Sequence, residues 1–225
     1  MAVIHRTTLT PTKLELLAGW LPSRPWYGGG RDTASLARAG GFRLDDPEGE
    51  VGIEFLVVTD GAGDAAAAHL VPLTYRGAPL PGADAGLIGT CEHGVLGTRW
   101  VYDGAHDPVL VGQLLALLAG GAVAQAQSES DTPDPTVEVR PAAQGAGAGL
   151  TGPGPVVDTA DATVVAVGPE DGEGPALNLT VSRRLRPGPA AGDDVRGQVL
   201  ARWSAPDGSV RSGSFAVLRE VPRLP

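Results

Sequence analysis

Lys13 is the only lysine in the 225-residue sequence. Any step that needs an ammonium on a phosphate, or an amine nucleophile, therefore has one candidate, close to the N-terminus. Cys91, Glu92 and His93, with His106, offer a thiol, a carboxylate and two imidazoles that could hold a metal or pair as thiol and imidazole. Their spacing fits no zinc pattern, and a structural role is favoured. His69 sits within an apolar run and reads as a packed or surface histidine. Asp45, Asp46, Glu48 and Glu50 could supply carboxylates for general acid work, although a run of like charge is usually a hydrated loop. Gly145 to Gly149 alternates glycine with alanine but lacks the lysine and the preceding strand of a phosphate loop. Trp26 and Tyr27, beside Gly28, Gly29 and Gly30, could form a stacking platform for a sugar. The competing reading, that they anchor the first helix to a sheet, is favoured because aromatics dominate small cores. Trp100 would be a third aromatic on such a platform. Arg183 and Arg184 are adjacent guanidiniums that could take an anion; facing solvent, or pairing with Asp193 and Asp194, is the plainer expectation.

The elements that must position these groups follow from periodicity and punctuation. Thr10-Pro11 reads as an N-cap followed by proline at the first helical position, opening a helix over 11–21 with Leu14, Leu17, Ala18 and Leu21 on one face and Pro22 as its stop. Val51, Ile53, Phe55 and Val57 alternate along a strand that ends at a Thr59-Asp60-Gly61 turn. Residues 67–75 make a partner strand, and 95–102 a further one ending at Asp103-Gly104. Asp107-Pro108 starts a second helix with one apolar face, running to about Gln127. Residues 128–155 are polar, then rich in Pro, Gly and Ala, and read as a linker with one candidate strand. Beyond them, 156–167, 176–185, 195–203 and 210–218 read as strands, the last two joined by a Pro206-Asp207-Gly208 turn. The fold class is α+β: a first domain over 1–127 of antiparallel strands with two helices, and a small antiparallel β subdomain over 156–225.

Composition narrows the functions these elements can serve. With 42% hydrophobic residues the chain can bury a core, while 33 glycines and 20 prolines imply long loops. The formal charge of −9 repels phosphate backbones, which argues against nucleic acid as a partner. Cys91 is the only cysteine, so no intrachain disulfide forms. Residues 1–10 lack the apolar core of a signal peptide, and the most apolar run, 109–124, is interrupted by Gly112, Gln113, Gly120 and Gly121. A cytoplasmic protein with no membrane partner is the expectation.

Three stretches resemble the actinobacterial maltokinases and the related glucosamine-type kinases, which begin with a cap domain. Trp20, Arg24, Trp26 and Tyr27 are similar to that family's entry motif. The segments HLVPLTYRGAPLPG and GVLGTRWVYDGAHDPVLVGQLLALLAGG, between Ala68 and Gly121, resemble the strands and helix that close the cap. LNLTVSRRLRPGPAAGDDV, from Leu177 to Val195, resembles the kinase segment after the cap, with Arg183, Arg184, Pro187 and Gly188 matching and Thr180 at the position of the nucleotide-gripping lysine. The resemblance implies a cap-like domain over 1–127 and a degenerate kinase N-terminal-lobe-like subdomain over 156–225, in trehalose, maltose and α-glucan metabolism.

Phosphoryl transfer needs a cation on the phosphates, a base and metal ligands. The sequence has no His-x-Asp loop followed by Asn, no Asp-Phe-Glu-like metal motif and no charge at Thr180. The resemblance therefore implies a non-catalytic binding or regulatory protein with no cofactor and no metal. Its partner would be a sugar kinase, another α-glucan enzyme or a second copy of itself. Half of a split kinase and a carbohydrate-binding module using Trp26, Tyr27 and Trp100 are the alternatives.

Overall fold

Short apolar runs separated by turn residues fold here almost entirely as antiparallel sheet. The structure, a computed structural model, describes residues 8–28, 35–61, 66–129, 131–141, 147–169, 172 and 177–221. The front of the chain forms β1 (Leu9–Thr10), α1 (Lys13–Trp20), β2 (Ala37–Leu44), β3 (Gly52–Asp60), β4 (Ala67–Arg76), β5 (Leu87–His93), β6 (Gly97–Asp103) and α2 (Pro108–Ala119). The remainder forms β7 (Glu138–Pro141), β8 (Leu150–Thr151), β9 (Val156–Asp158), β10 (Ala162–Pro169), β11 (Leu177–Ser182), β12 (Val195–Ser204) and β13 (Val210–Glu220). The fold is thus broadly α+β but predominantly β.

Neighbouring strands run in the order β1-β5-β6-β4-β3-β2-β12-β13-β11-β10-β8, with β7 added to β12 and β9 to β10. The segment 128–155, expected as a linker, contributes β7 and β8 to this sheet. A second link makes the middle of the order into a ring. Just past β11, the Leu70 N–H donates to the Arg183 carbonyl and the Leu185 N–H to the Ala68 carbonyl. Strands β4, β3, β2, β12, β13 and β11 are therefore joined end to end by hydrogen bonds, with β2 meeting β12 at Gly40 and Trp203.

Strand β3 explains why so much of the chain is apolar. Ile53, Phe55 and Val57 enter one core with Phe42, Leu110, Leu114, Leu179 and Phe215, while Leu56 and Val58 enter a second with Leu17, Trp20, Trp26 and Val71. Both faces of β3 are covered, by α2 and the later strands on one side and by α1 on the other. Phe42 and Phe55 stack at 4.4 Å with Phe42 6.0 Å from Phe215, so the larger core spans front and rear of the chain. Each large side chain buried there contributes about 1.5–3 kcal/mol.

Four sequence readings shift. The first helix starts two residues late: Thr12, not Thr10, is its N-cap, and Glu15 closes a capping box with it. The second helix starts at Asp107-Pro108 as expected but stops at Ala119, because Gly120 turns left-handed at φ 80° and its N–H reaches back to the last carbonyls. The expected strand 156–167 is a hairpin, β9 and β10, reversed where the Thr159 N–H bonds the Ala162 carbonyl. Strand β2 was not foreseen, since Ala39 is bulged and Gly40 and Gly41 interrupt its alternation.

Gly41 lies against β3 so closely that an added Cβ would stand 1.8 Å from the Phe55 carbonyl oxygen, at φ 127°. Gly112, inside α2, has nothing within 4 Å of the same added atom. Gly41→Ala should therefore cost at least about 3 kcal/mol, from backbone strain and clash. Gly112→Ala should stabilise by about 0.5–1 kcal/mol. Urea denaturation of the two variants checks both signs.

Candidate functional site

The alternation that sends Leu177, Leu179 and Val181 inward continues past β11, so Arg183 and Leu185 are buried while Arg184 and Arg186 point out. Arg183 thus carries a guanidinium into the seam that closes the ring, with no exposed surface. Its Nη2 donates to both carboxylate oxygens of Asp103, at 2.7 and 2.5 Å, and its Nε to the Thr163 hydroxyl at 2.7 Å. That hydroxyl in turn donates to Asp158. Asp103 ends β6 and also accepts from the Ala105 N–H, capping the 3-10 turn Gly104–His106. The face of Trp26 lies 4.9 Å from the guanidinium carbon.

His69 stands beside this pair on β4, fully buried, 5.1 Å from the Tyr27 ring and 6.1 Å from that of Trp26. Its ring nitrogens, Trp26 Nε1 and Arg183 Nη1 have no hydrogen-bond partner among the described residues. Burial and the neighbouring Arg184 charge push the His69 imidazole down to about 4, against the opposing pull of Asp60. Asp60 accepts from the Tyr27 hydroxyl and from Ser35, each at 2.6 Å. Burial alone would raise its carboxyl, but those two bonds hold it below the usual range. The Tyr27 hydroxyl is pushed upward by burial and by Asp60.

A second buried carboxylate, Glu54 on β3, takes up the lone lysine. Lys13 bonds it at 2.5 Å, the Tyr75 hydroxyl at 2.9 Å and Gln127 at 3.1 Å, with Arg38 at 3.7 Å. Burial would raise the Glu54 carboxyl, yet the Lys13 charge and these donors hold it below its ordinary range.

The residues singled out from sequence are dispersed accordingly. Trp26 is fully enclosed and Tyr27 nearly so, so neither ring is presented to a ligand from outside. Trp100 is half-buried on β6, paired with Arg76 and Thr90. The expected pairing of Arg183 and Arg184 with Asp193 and Asp194 is corrected: Arg183 is buried against Asp103, Arg184 lies 3.8 Å from Asp161, and Asp194 pairs with Arg219. Buried between facing chains, Arg183 has no route to solvent. Thr180 lies mid-ladder between Val164 and Val217. His93 Nδ1 accepts from the Val95 and Leu96 N–H groups of its hairpin, and Cys91 is buried with its thiol pushed up by burial. Asp46 folds the acidic loop on itself, accepting from the Glu48, Glu50 and Val51 N–H groups. Gly29, Gly30, Gly145 and Ala146 lie outside the described residues; Gly147 packs on the end of α2. Among the described residues no three of His, Cys, Asp and Glu converge as metal ligands, and no helix is long and apolar enough to cross a membrane.

Asp103, Thr163, Asp158, His69 and Asp60 were not recognised from sequence as one constellation. The β-period placing Arg183 inward was the available signal; its partner 80 residues away was not a local one.

These features define a predominantly antiparallel β protein closed around a buried ion pair. Residues 20–107 match the family model of the maltokinase N-terminal cap domain. Over that stretch the chain is similar to the cap domain. No curated protein matches the chain. The matched stretch contains Trp26, Tyr27, His69 and Asp103, whereas Thr163 and Arg183 lie beyond it.

Removing Arg183 leaves Asp103 buried and unpaired, so Arg183→Met should cost about 3–5 kcal/mol. Combining it with Asp103→Asn should cost less than the sum of the single changes, with a coupling on the order of 0.5–3 kcal/mol by urea denaturation. His69 gives a second expectation. Its folded value of about 4 lies below the unfolded 6.5. The unfolded chain therefore binds the proton first, and stability falls as pH drops through that window, by up to about 3 kcal/mol. His69→Gln should flatten the dependence of unfolding free energy on pH over the same window.

Proposed function

We propose that the protein is a cap-like binding module of maltokinase-type α-glucan metabolism, acting on a protein partner rather than turning over a substrate with its own side chains. The observation that carries this reading is the match to the maltokinase cap over residues 20–107, together with the structural use of the groups that chemistry would need. Lys13 is held by Glu54, Arg183 by Asp103, and Thr180 brings no charge to the position that the resemblance assigns to a phosphate-gripping lysine. A stacking platform for glucan is disfavoured because Trp26 and Tyr27 are enclosed.

The partner class that fits the resemblance is a sugar kinase or another α-glucan enzyme, with self-association as the alternative. Calorimetry with ATP and Mg²⁺, alone and with maltose or glucosamine, should give no saturable heat at millimolar nucleotide. Sedimentation velocity with a purified maltokinase or glucan-processing enzyme should show a complex heavier than either component. Saturable nucleotide binding would overturn the reading in favour of one half of a split kinase.

A further inference from the structure

A cleft of about 150 Å³ opens beside the seam, between the start of β4, the chain after β11 and the turn joining β12 to β13. Arg184, Arg186 and Arg211 line it, with Thr59, the small residues 66–68 and the buried indole of Trp203 completing its walls. Its volume is room for several water-sized groups. On a chain of net charge −9 this is a local concentration of positive charge.

The carboxylates nearby meet these arginines only through long contacts: Arg186 Nη2 donates to both Asp161 oxygens at 3.4 and 3.5 Å, and Arg211 Nη2 to Asp207 at 3.5 Å. Asp161 is shared between Arg184 at 3.8 Å and Arg186 at 3.4 Å. Asp207 accepts from the Ser209 N–H at 2.8 Å and hydroxyl at 2.6 Å through one oxygen and from Arg211 at 3.5 Å through the other. Elsewhere the protein brings such pairs together: Arg76 and Asp107 at 2.6 Å, Arg196 and Glu220 at 2.7 Å, Arg219 and Asp194 at 2.8 Å. Three arginines thus line one concave space, and among the described residues only Nη2 of Arg186 and Nη2 of Arg211 donate to a carboxylate there.

A guanidinium presents N–H groups in a planar fork that matches pairs of oxygens. One carboxylate has two oxygens and satisfies one or two such forks; a phosphate monoester has three terminal oxygens and a charge near −2 at neutral pH. We propose that this cleft is an anion site for a phosphate monoester, its phosphoryl oxygens held by Arg184, Arg186 and Arg211. The site is independent of which partner the module engages.

Titration of the whole protein in low-salt buffer with inorganic phosphate, glycerol phosphate and glycerol tests this, read by calorimetry and by the Nε–Hε resonances of the arginines. Both phosphates should bind saturably and shift the Arg186 and Arg211 resonances; glycerol should do neither, and added salt should weaken the binding. Arg186→Ala combined with Arg211→Ala should weaken it by at least about tenfold, a loss of some 1.4 kcal/mol. Arg202→Ala, at an exposed residue of β12 outside the cleft, should leave it unchanged. Arg184 is kept intact because its guanidinium packs over Gly28 beside the seam. Tighter binding of the ester would assign an organic phosphate, and equal binding phosphate itself. No saturable binding by about 10 mM would overturn the proposal. So would unmoved arginine resonances, full affinity in the double variant, or binding of polyglutamate but neither phosphate.

Discussion

A guanidinium with no exposed surface is the constraint around which the rest of this protein is arranged. Taking a charge from water costs several kcal/mol unless an opposite charge and further hydrogen bonds replace the lost hydration. Arg183 meets that requirement with side chains from three separated parts of the chain, Asp103 at the end of β6, Thr163 on β10 and the ring of Trp26 after α1, while the Leu70 N–H on β4 bonds its carbonyl. None of these is near another in sequence. Satisfying Arg183 therefore requires β4, β6, β10 and the chain after β11 to arrive at one place together. Hydrophobic burial supplies most of the driving force for the two cores but has no direction. The ion pair supplies the direction, since a register slip of one residue would send Arg183 to the outer face and Arg184 inward.

The same logic accounts for Glu54, another deeply buried carboxylate. Lys13 from α1, Tyr75 from β4, Arg38 from β2 and Gln127 from beyond α2 all converge on it. The helix is thus fastened to the sheet by a charge as well as by Leu17 and Trp20. The sequence's only lysine is consumed by this task, and two other groups with chemical promise are consumed likewise: Asp46 knits its own loop, and His93 closes its hairpin. Chemistry-bearing residues in a chain poor in aromatics serve here as cross-links between strands.

Much of the local structure was legible because its causes are local. Asp107-Pro108 began α2, the Pro206-Asp207-Gly208 turn joined β12 to β13, and the alternation through Val51 to Val57 announced β3. The errors arose where local cues competed or distant ones ruled. Thr10 and Thr12 are both plausible caps, and only Thr12 has a glutamate three residues on to complete the box. Strand β2 is obscured by a bulge and two glycines, whose meaning appears only once β3 lies against Gly41. Arg183 is the clearest case. Leu177, Leu179, Val181 and Leu185 set a period that places it inside, whereas its charge argued for outside. The period prevailed because Asp103 was waiting across the seam, and no short-range pattern advertises a partner that far along the chain.

Arg183 and Arg184 show how one dipeptide can serve two ends. Adjacent residues on a strand face opposite ways, so the packing that buries one guanidinium necessarily presents the next. Arg184 owes its position to the backbone that Arg183 anchors: the Leu70 and Leu185 N–H bonds on either side of the pair hold that stretch against β4. The cleft at Arg184 is consequently not a loop feature free to drift. Its walls are the start of β4, the chain after β11 and the last hairpin, the elements that the buried ion pair and the ring of strands hold in register. A site built on such elements keeps its donors in place before any ligand arrives, and binding then need not supply the free energy of ordering them.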